Sequence, residues 1–197
     1  MTARVIPLRQ VTRDAEPPTD EALVAACATG DRRALGDLFD RHQAAVYRFL
    51  SRISRARHDD LDDLVQTTFV SVLQAANSYR RGSTVRTWLF GVAANVARHH
   101  ARSGQRRKTL LSRAKEEPTE FASGPDQTFE RRELLRRLDR ALNQLPPDQR
   151  VAFVICDLEE VRGVEAARVL GVPEGTLFRR LHEARKALKL AIKGNQA

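Results

Sequence analysis

The amino-acid sequence predicts an all-α protein made of two small helical domains joined by a flexible linker. Three observations lead to this fold class. Apolar residues recur at helical spacing over most of the chain. No run of alternating apolar and polar residues is long enough to support a sheet. Residues 103–128 lack periodicity and are rich in Gly, Ser, Pro and charge, as is typical of a linker.

The first domain is predicted to begin after an unstructured leader. Residues 1–18 mix charges, Thr and Pro without periodicity, so we expect them to be disordered. Asp20 is expected to cap a short helix over residues 21–29, which Gly30 ends. A long amphipathic helix is then predicted over residues 31–53.

The next two helices complete this domain, which we place at residues 19–102. The first begins behind Asp59 and Asp60, whose charges suit the positive end of a helix dipole. After a loop over Ser78–Ser83, Thr84 is expected to cap a helix that ends near Arg102. The apolar stripe of the first of these helices follows the i, i+3, i+4, i+7 pattern and consists of Leu61, Leu64, Val65, Thr68, Phe69, Val72, Leu73 and Ala76.

The second domain is predicted over residues 129–194. One apolar helical stripe starts at Phe129, is interrupted by Pro146 and Pro147, and resumes beyond them. Two further short helices are expected, one over residues 164–170 and one that starts at Pro173 as its first helical residue.

These last two helices have the proportions of a helix-turn-helix, with a tight turn at Gly171. In such a unit the second helix enters the major groove of DNA. Leu177 and Leu181 are expected to face inward. The residues left for DNA or solvent are Thr176, Phe178, Arg179, Arg180, His182, Glu183 and Lys186. The competing interpretation of this segment is a solvated charged helix in an ordinary bundle.

The charge of the chain agrees with a polyanionic partner. There are 34 Lys and Arg against 25 Asp and Glu, a formal net charge of +9, which favours nucleic acid over an anionic membrane surface. No apolar run approaches the roughly 20 residues that span a bilayer, and the amino terminus does not resemble a signal peptide. We therefore expect a cytoplasmic protein without membrane insertion. Cys27 and Cys156 are expected to be reduced and buried.

An enzymatic interpretation is disfavoured. The cluster His58–Asp63 and the pair His99–His100 admit a metal-dependent phosphohydrolase. Such a site needs ligands that converge from several helices, whereas consecutive helical residues point in different directions. We expect no catalytic residue, no metal and no cofactor.

Several motifs, taken in order, resemble a known family, the extracytoplasmic-function (group 4) sigma factors of the sigma-70 class. The resemblance covers nearly all of the chain after the leader. The residues that carry it are Gly30-Asp31, Ala34-Leu35, Leu38-Phe39, Val46–Leu50, Asp62–Gln66 with Thr68-Phe69, Trp88–Ala93 with Asn95, Leu145–Arg150, and Gly175–Leu177 with Arg180-Leu181 and Ala184-Arg185.

The resemblance implies a non-catalytic subunit that binds the clamp and flap of core RNA polymerase and directs initiation at promoters. The first domain would bind the clamp and melt minus-10 DNA, and the second would read minus-35 DNA. An anti-sigma factor is implied as a further partner. The linker, basic at its start, would follow the single-stranded template.

Site residues are carried over by position. The implied core-binding surface consists of Asp62, Asp63, Leu64, Gln66 and Thr67. The implied minus-10 surface consists of Ser78, Tyr79, Arg80, Arg86, Trp88, Asn95, Arg98, His99 and Arg102. Because Trp88 lies on the apolar stripe of its helix, packing in the core is favoured over DNA contact there. The implied minus-35 surface is the outward set of the second helix of the helix-turn-helix.

Three positions in the second domain depart from the family pattern. Arg162 stands where a Ser or Thr cap is usual, Ala166 replaces a branched apolar residue, and Glu183 replaces a basic one. A less well capped and less fully packed helix-turn-helix is expected, with lost capping worth roughly 1 kcal/mol. The alternative function is a one-component helix-turn-helix regulator, which leaves the Asp62–Phe69 and Trp88–Asn95 patterns unexplained.

Overall fold

The computed structural model describes residues 17–54, 58–110 and 129–193, and the named elements of this part of the chain are all helices, as predicted. The helices of the first domain are α1 (Asp20–Ala28), α2 (Arg32–Ile53), α3 (His58–Ala75) and α4 (Val85–Leu110), with a 3-10 turn at Ala76–Ser78. Those of the second are α5 (Phe129–Gln144), α6 (Pro147–Phe153), α7 (Gly163–Leu170) and α8 (Glu174–Lys193), with a π-helical turn at Val154–Leu158.

Side-chain caps set the starts of α1 and α4. Thr84 caps α4 as predicted, since its Oγ1 accepts from the backbone N–H of Thr87 at 3.1 Å. The prediction for α1 is wrong by one residue: Thr19 accepts from Ala22 N at 3.2 Å, and Asp20 is already helical. The Asp20 carboxylate instead accepts from α2, where Arg41 Nη1 lies 2.9 Å away.

The core of the first domain lies between α2, α3 and α4. The rings of Phe49 and Phe90 are fully buried and stacked, with their centroids 4.6 Å apart. Phe39 meets Phe69 edge to face at 4.9 Å. Complete burial of one such side chain stabilises the fold by about 1.5 to 3 kcal/mol.

The linker prediction is only partly testable. Helix α4 extends to Leu110 and so includes residues 103–110 of the segment expected to be irregular. Residues 111–128, the rest of the expected linker, lie outside the described residues, as do residues 1–16 of the expected leader.

A buried arginine closes the turn between α5 and α6. Arg150 is 1% exposed, and its Nη2 donates to the carbonyl oxygens of Asn143 and Leu145, both at 3.1 Å. These carbonyls lie at the end of α5, where Pro146 and Pro147 prevent the helix from continuing. The break predicted from the two prolines is therefore present and is stabilised by Arg150.

The helix-turn-helix follows the π-helical turn. Gly171 is left-handed (φ 66°, ψ 35°) and ends α7 at the predicted place. Helix α8 begins at Glu174, one residue later than predicted, and Pro173 precedes it. Arg162 gives α7 no side-chain cap, as its departure from the family pattern predicted.

The two domains pack against each other. A single apolar cluster continues from the first domain into Ile155, Ala166 and Leu177 of the second. A smaller cluster around Leu142 and Leu188 joins α5 to α8. Within the described part of the chain, none of the helices is both long enough and apolar enough to cross a membrane.

Candidate polymerase and nucleic-acid interfaces

The outer face of α3 combines polar residues with one exposed apolar side chain. Asp62, Asp63, Gln66 and Thr67 are exposed, whereas Leu64 is 3% exposed and packs in the core. Val70 is 61% exposed. Residues 63, 66, 67 and 70 are spaced i, i+3, i+4 and i+7, so they share one face. The sequence analysis missed Val70, although its position off the apolar stripe was the available signal.

The loop after α3 is tied down by its own hydrogen bonds. The hydroxyl of Tyr79 donates to the carbonyl oxygen of Ser83 at 2.9 Å. Arg80 Nη1 donates to Asn77 O at 2.8 Å, and Ser78 Oγ donates to the end of α3 at 2.6 Å. Burial raises the pKa of Tyr79 above its usual value. The loop therefore offers an ordered surface.

Trp88 lies in the core, as the sequence analysis favoured. Only 8% of it is exposed, and its ring meets Tyr79 edge to face with centroids 5.4 Å apart. The buried indole therefore packs against the loop from the core side.

The other predicted minus-10 residues of α4 lie on two opposite sides of the helix. Asn95, His99 and Arg102 are exposed and Arg98 is half-buried, and their spacing of i, i+3, i+4 and i+7 aligns them along one side of the helix. Arg86 precedes Asn95 by nine residues, or two and a half turns, and therefore points to the opposite side.

An open cleft lies between the loop and α1. Its volume is about 380 Å³, near the lower end of the roughly 300 to 1,000 Å³ typical of small-ligand sites. The cleft was not predicted, because α1 and the loop are distant in sequence. It is lined by Thr19, Glu21, Tyr79, Arg81, Gly82 and Ser83.

The residues of α8 that were predicted to face DNA differ in how exposed they are. Arg179, His182, Glu183 and Lys186 are exposed. Phe178 is 48% exposed and covers the start of α7, where a side chain at Gly163 would collide with its ring. Thr176 is half-buried.

Arg180 differs from its neighbours because an acidic side chain holds it. Its Nη2 donates to the carboxylate of Asp148 on α6. Arg185 likewise makes a two-point contact with Asp157 of the π-helical turn, with Nε 2.8 Å from Oδ2, and this hydrogen bond raises the pKa of Arg185. These two pairs fix α8 against the rest of its domain.

Neither cysteine is placed for chemistry at neutral pH. Cys27 is fully buried, and burial raises the pKa of its thiol. Cys156 is half-buried rather than buried as expected, and partial burial together with the charge of Asp157 raises the pKa of its thiol to about 11. Among residues 17–54, 58–110 and 129–193, no three His, Cys, Asp or Glu side chains are grouped so as to hold a metal ion.

Comparison with known proteins identifies the family of the chain. Two family models match the chain: Sigma-70 region 2 over residues 38–107 and Sigma-70, region 4 over residues 135–188. The chain is 33% identical over 178 residues to the ECF RNA polymerase sigma factor SigE of Mycolicibacterium smegmatis, covering 87% of this chain and 68% of that protein. It is 33% identical over 174 residues to SigM of Mycobacterium tuberculosis, covering 86% and 83% of the two proteins.

Solved structures agree. The structure of CnrH in complex with the cytosolic domain of CnrY is similar with a TM-score of 0.62 and 26% identity, over 89% of this chain and 97% of that chain. The sigma factor RpoE, in complex with the anti-sigma factor NepR from Bartonella quintana, gives a TM-score of 0.68 and 25% identity, over 80% and 96%.

The fold and its surfaces thus define a two-domain helical protein with a DNA-binding helix-turn-helix. The chain belongs to the ECF RNA polymerase sigma factors of the sigma-70 family. It functions as an RNA polymerase sigma factor, as its motifs predicted, within a family known as non-enzymatic initiation factors.

Proposed function

We propose that the exposed face of α3 is the surface by which this sigma factor binds the clamp of core RNA polymerase. The observation that supports this proposal is an apolar side chain, Val70, that is 61% exposed beside a row of exposed polar residues. Interfaces commonly combine an apolar centre with a polar rim. Asp62 and Asp63 suit a basic partner. Leu64 contributes by packing α3 into its domain.

Reversal of one charge tests this surface. Asp63→Arg combined with Gln66→Ala should abolish capture of the chain by core polymerase. Both side chains are exposed, so the circular dichroism spectrum should be unchanged. Asp37→Arg, the same change at an exposed position of α2, is the matched control and should bind normally. Retained binding by the double variant would refute the clamp assignment.

We infer that the first domain binds the melted minus-10 strand across the loop and α4. Exposed Asn95, His99 and Arg102 line one side of α4, where Arg and His can contact phosphates. The cleft beside Tyr79 has space for one unstacked base, and the carboxylate of Glu21 can accept from an exocyclic amine. Omission of the chain from a run-off assay with core polymerase and promoter DNA should abolish specific initiation.

We infer that the exposed residues of α8 read minus-35 DNA. Arg179 and Glu183 lie one turn apart and project toward the same groove. Arg180 serves instead to position α8, since its guanidinium is bound to Asp148. The alternative of a one-component regulator is not favoured, because it gives no role to the region 2 match over residues 38–107.

We further propose an anti-sigma factor as a partner. Two solved structures that are similar to this chain are complexes: CnrH with the cytosolic domain of CnrY, and the sigma factor RpoE with the anti-sigma factor NepR. Together with core polymerase, such a partner would act on this chain in the cytoplasm, where transcription takes place.

A further inference from the structure

Helix α8 carries an aromatic side chain among polar and charged neighbours. Phe178 is 48% exposed. It lies beside Arg179 in the sequence and one turn before His182, and both of these residues are exposed. A partner that covers the phenyl ring would remove apolar surface from water and so stabilise the complex.

The start of α7 holds one edge of this ring. A Cβ at Gly163 would lie 2.6 Å from Cε1 and 2.7 Å from Cζ of Phe178, well inside ordinary van der Waals contact. The ring therefore packs directly against the backbone of Gly163, and this contact fixes its orientation. Since nearly half of Phe178 stays exposed, the ring still has apolar surface to offer a partner.

Phe178 lies in the part of α8 that is suited to the major groove. It belongs to the second turn of the helix, which begins at Glu174, and residues near the N-terminus of such a helix contact base edges. Gly175 precedes it by three residues and has nothing within 4 Å of its would-be Cβ. No side chain at position 175 therefore stands between the ring and an approaching base pair.

A second exposed apolar residue of α8 lies too far along the helix to have the same role. Leu190 is 65% exposed. It follows Phe178 by 12 residues, which at 1.5 Å per residue is about 18 Å along the axis. The major groove is only about 12 Å wide, so a helix that enters it by the N-terminal end has left it at Leu190.

The chemistry of the base edges determines what a phenyl ring can recognise. The ring has no conventional hydrogen-bond donor or acceptor, so it cannot distinguish the polar groups of the bases. The apolar group that the major groove presents is the C5-methyl of thymine, and Phe is one of the side chains that contact it. Because Gly163 already fixes the ring, little side-chain freedom is lost when the contact forms.

We propose that Phe178, held against Gly163, recognises the C5-methyl group of one pyrimidine in minus-35 DNA. Thymine is the ordinary source of this group, and 5-methylcytosine carries the same group at the same place. The proposal rests on the assignment of α8 to minus-35 DNA made above. It makes Phe178 a specificity-determining residue at one base pair, next to the contacts of Arg179 and Glu183.

Removal of single methyl groups from the DNA tests this contact. Holoenzyme made from core polymerase and the full-length chain first selects its promoter from a pool randomised over the minus-35 DNA. Each thymine of the selected minus-35 DNA, on either strand, is then replaced in turn by deoxyuridine, which pairs in the same way but lacks the C5-methyl. At one thymine the replacement should weaken binding by wild type about fourfold, the factor for one methyl-sized apolar group.

Two variants of α8 assign that effect to a side chain. With Phe178→Ala, deoxyuridine at that thymine should bind as tightly as thymine, because the ring that contacts the methyl group is gone. Leu190→Ala is the matched control, since it removes an exposed apolar side chain from the same helix. It should keep the loss of about fourfold.

The same base pair distinguishes the two sources of the methyl group. When it is changed to C·G, 5-methylcytosine should bind wild type about fourfold more tightly than cytosine, and Phe178→Ala should bind both equally. A thymine effect without a 5-methylcytosine effect would overturn the C5-methyl as the recognised group.

Gly163→Ala tests how the ring is held while leaving phenylalanine in place. The added Cβ must displace the ring, and a gap of 0.5 to 1 Å forfeits up to about half of a van der Waals contact. The ratio between thymine and deoxyuridine should therefore fall to about twofold or less, with an unchanged circular dichroism spectrum. A ratio equal to that of wild type would refute the role of Gly163.

The outcomes separate this proposal from the assignment of α8. If no thymine gives a deoxyuridine effect that depends on Phe178, methyl recognition is refuted, even where Arg179→Ala still relaxes the selected sequence. A lower Tm for Phe178→Ala with an unchanged ratio would show that the ring only covers α7. Wild type that selects no minus-35 sequence would overturn both proposals. Circular dichroism identifies an unfolded Phe178→Ala, in which case Gly163→Ala decides alone.

Discussion

At the turn of the helix-turn-helix, the steric cost of a substitution can be separated from its conformational cost. Gly171 is left-handed (φ 66°, ψ 35°), and an added Cβ would meet nothing within 4 Å. Gly171→Ala therefore costs only the conformational energy of a left-handed L-residue, about 1 to 2 kcal/mol. No collision adds to it.

At a second glycine of the helix-turn-helix, substitution by alanine should change the stability in the opposite direction. Gly175, in the first turn of α8, also has open space around its would-be Cβ, but its φ is not left-handed. Gly175→Ala should stabilise the protein by about 0.4 to 1 kcal/mol, because alanine restricts the unfolded chain. The two variants should thus differ by about 1.4 to 3 kcal/mol. Gly171→Asn should lie between them, since Asn tolerates this conformation better than Ala.

Thermal unfolding followed by circular dichroism at 222 nm measures the difference. For chains of about 150 to 250 residues, 1 kcal/mol shifts Tm by about 2 to 4 °C, so the two variants should be separated by at least about 3 °C. Equal Tm values for Gly171→Ala and Gly175→Ala would show that the turn is not left-handed in solution. The minus-35 domain would then need a different turn geometry.

Three further predictions concern DNA reading, thiol chemistry and the core. Arg179→Ala should weaken binding of holoenzyme to its promoters by about 1 to 3 kcal/mol and relax preference at one minus-35 position in a selection from randomised promoters; Lys189→Ala, farther along α8, should leave the selected sequence unchanged. Cys156, with a pKa of about 11, should react slowly with iodoacetamide at pH 8 and faster as pH rises from 9 to 11, and rapid native reaction at pH 8 would contradict its burial. Phe49→Ala should lower the free energy of unfolding in urea by about 3 to 5 kcal/mol, because the ring is fully buried; a loss under 1 kcal/mol would place it outside the core.

Features set by local sequence were predicted well. The cap at Thr84, the break at Pro146 and Pro147 and the turn at Gly171 each depend on a few adjacent residues whose preferences agree. The amphipathic stripe of α3 also predicted which residues lie inside, with Leu61, Leu64 and Phe69 all buried. One-residue errors remained at helix starts such as Asp20, where two neighbouring residues can both cap.

Features set by distant contacts were not predicted. The ion pair between Arg52 and Glu159 joins positions 107 residues apart, and neither residue has a local pattern that indicates the other. The π-helical turn was missed for a related reason. Its apolar residues, Val154 and Ile155 among them, fit an ordinary helix equally well, so the tertiary packing around the turn decides between the two.

The glycine in the middle of α4 shows how such contacts can be recognised afterwards. A glycine inside a helix destabilises it by roughly 0.5 to 1 kcal/mol relative to alanine, and Gly36 and Gly91 both carry this cost. Nothing packs on Gly36, whereas the carbonyl of Val169 lies where the side chain of residue 91 would be. An isolated first domain would therefore be more stable with alanine at position 91. The glycine is an advantage only while α7 packs on α4, because only then does a backbone oxygen occupy the space of a side chain at position 91.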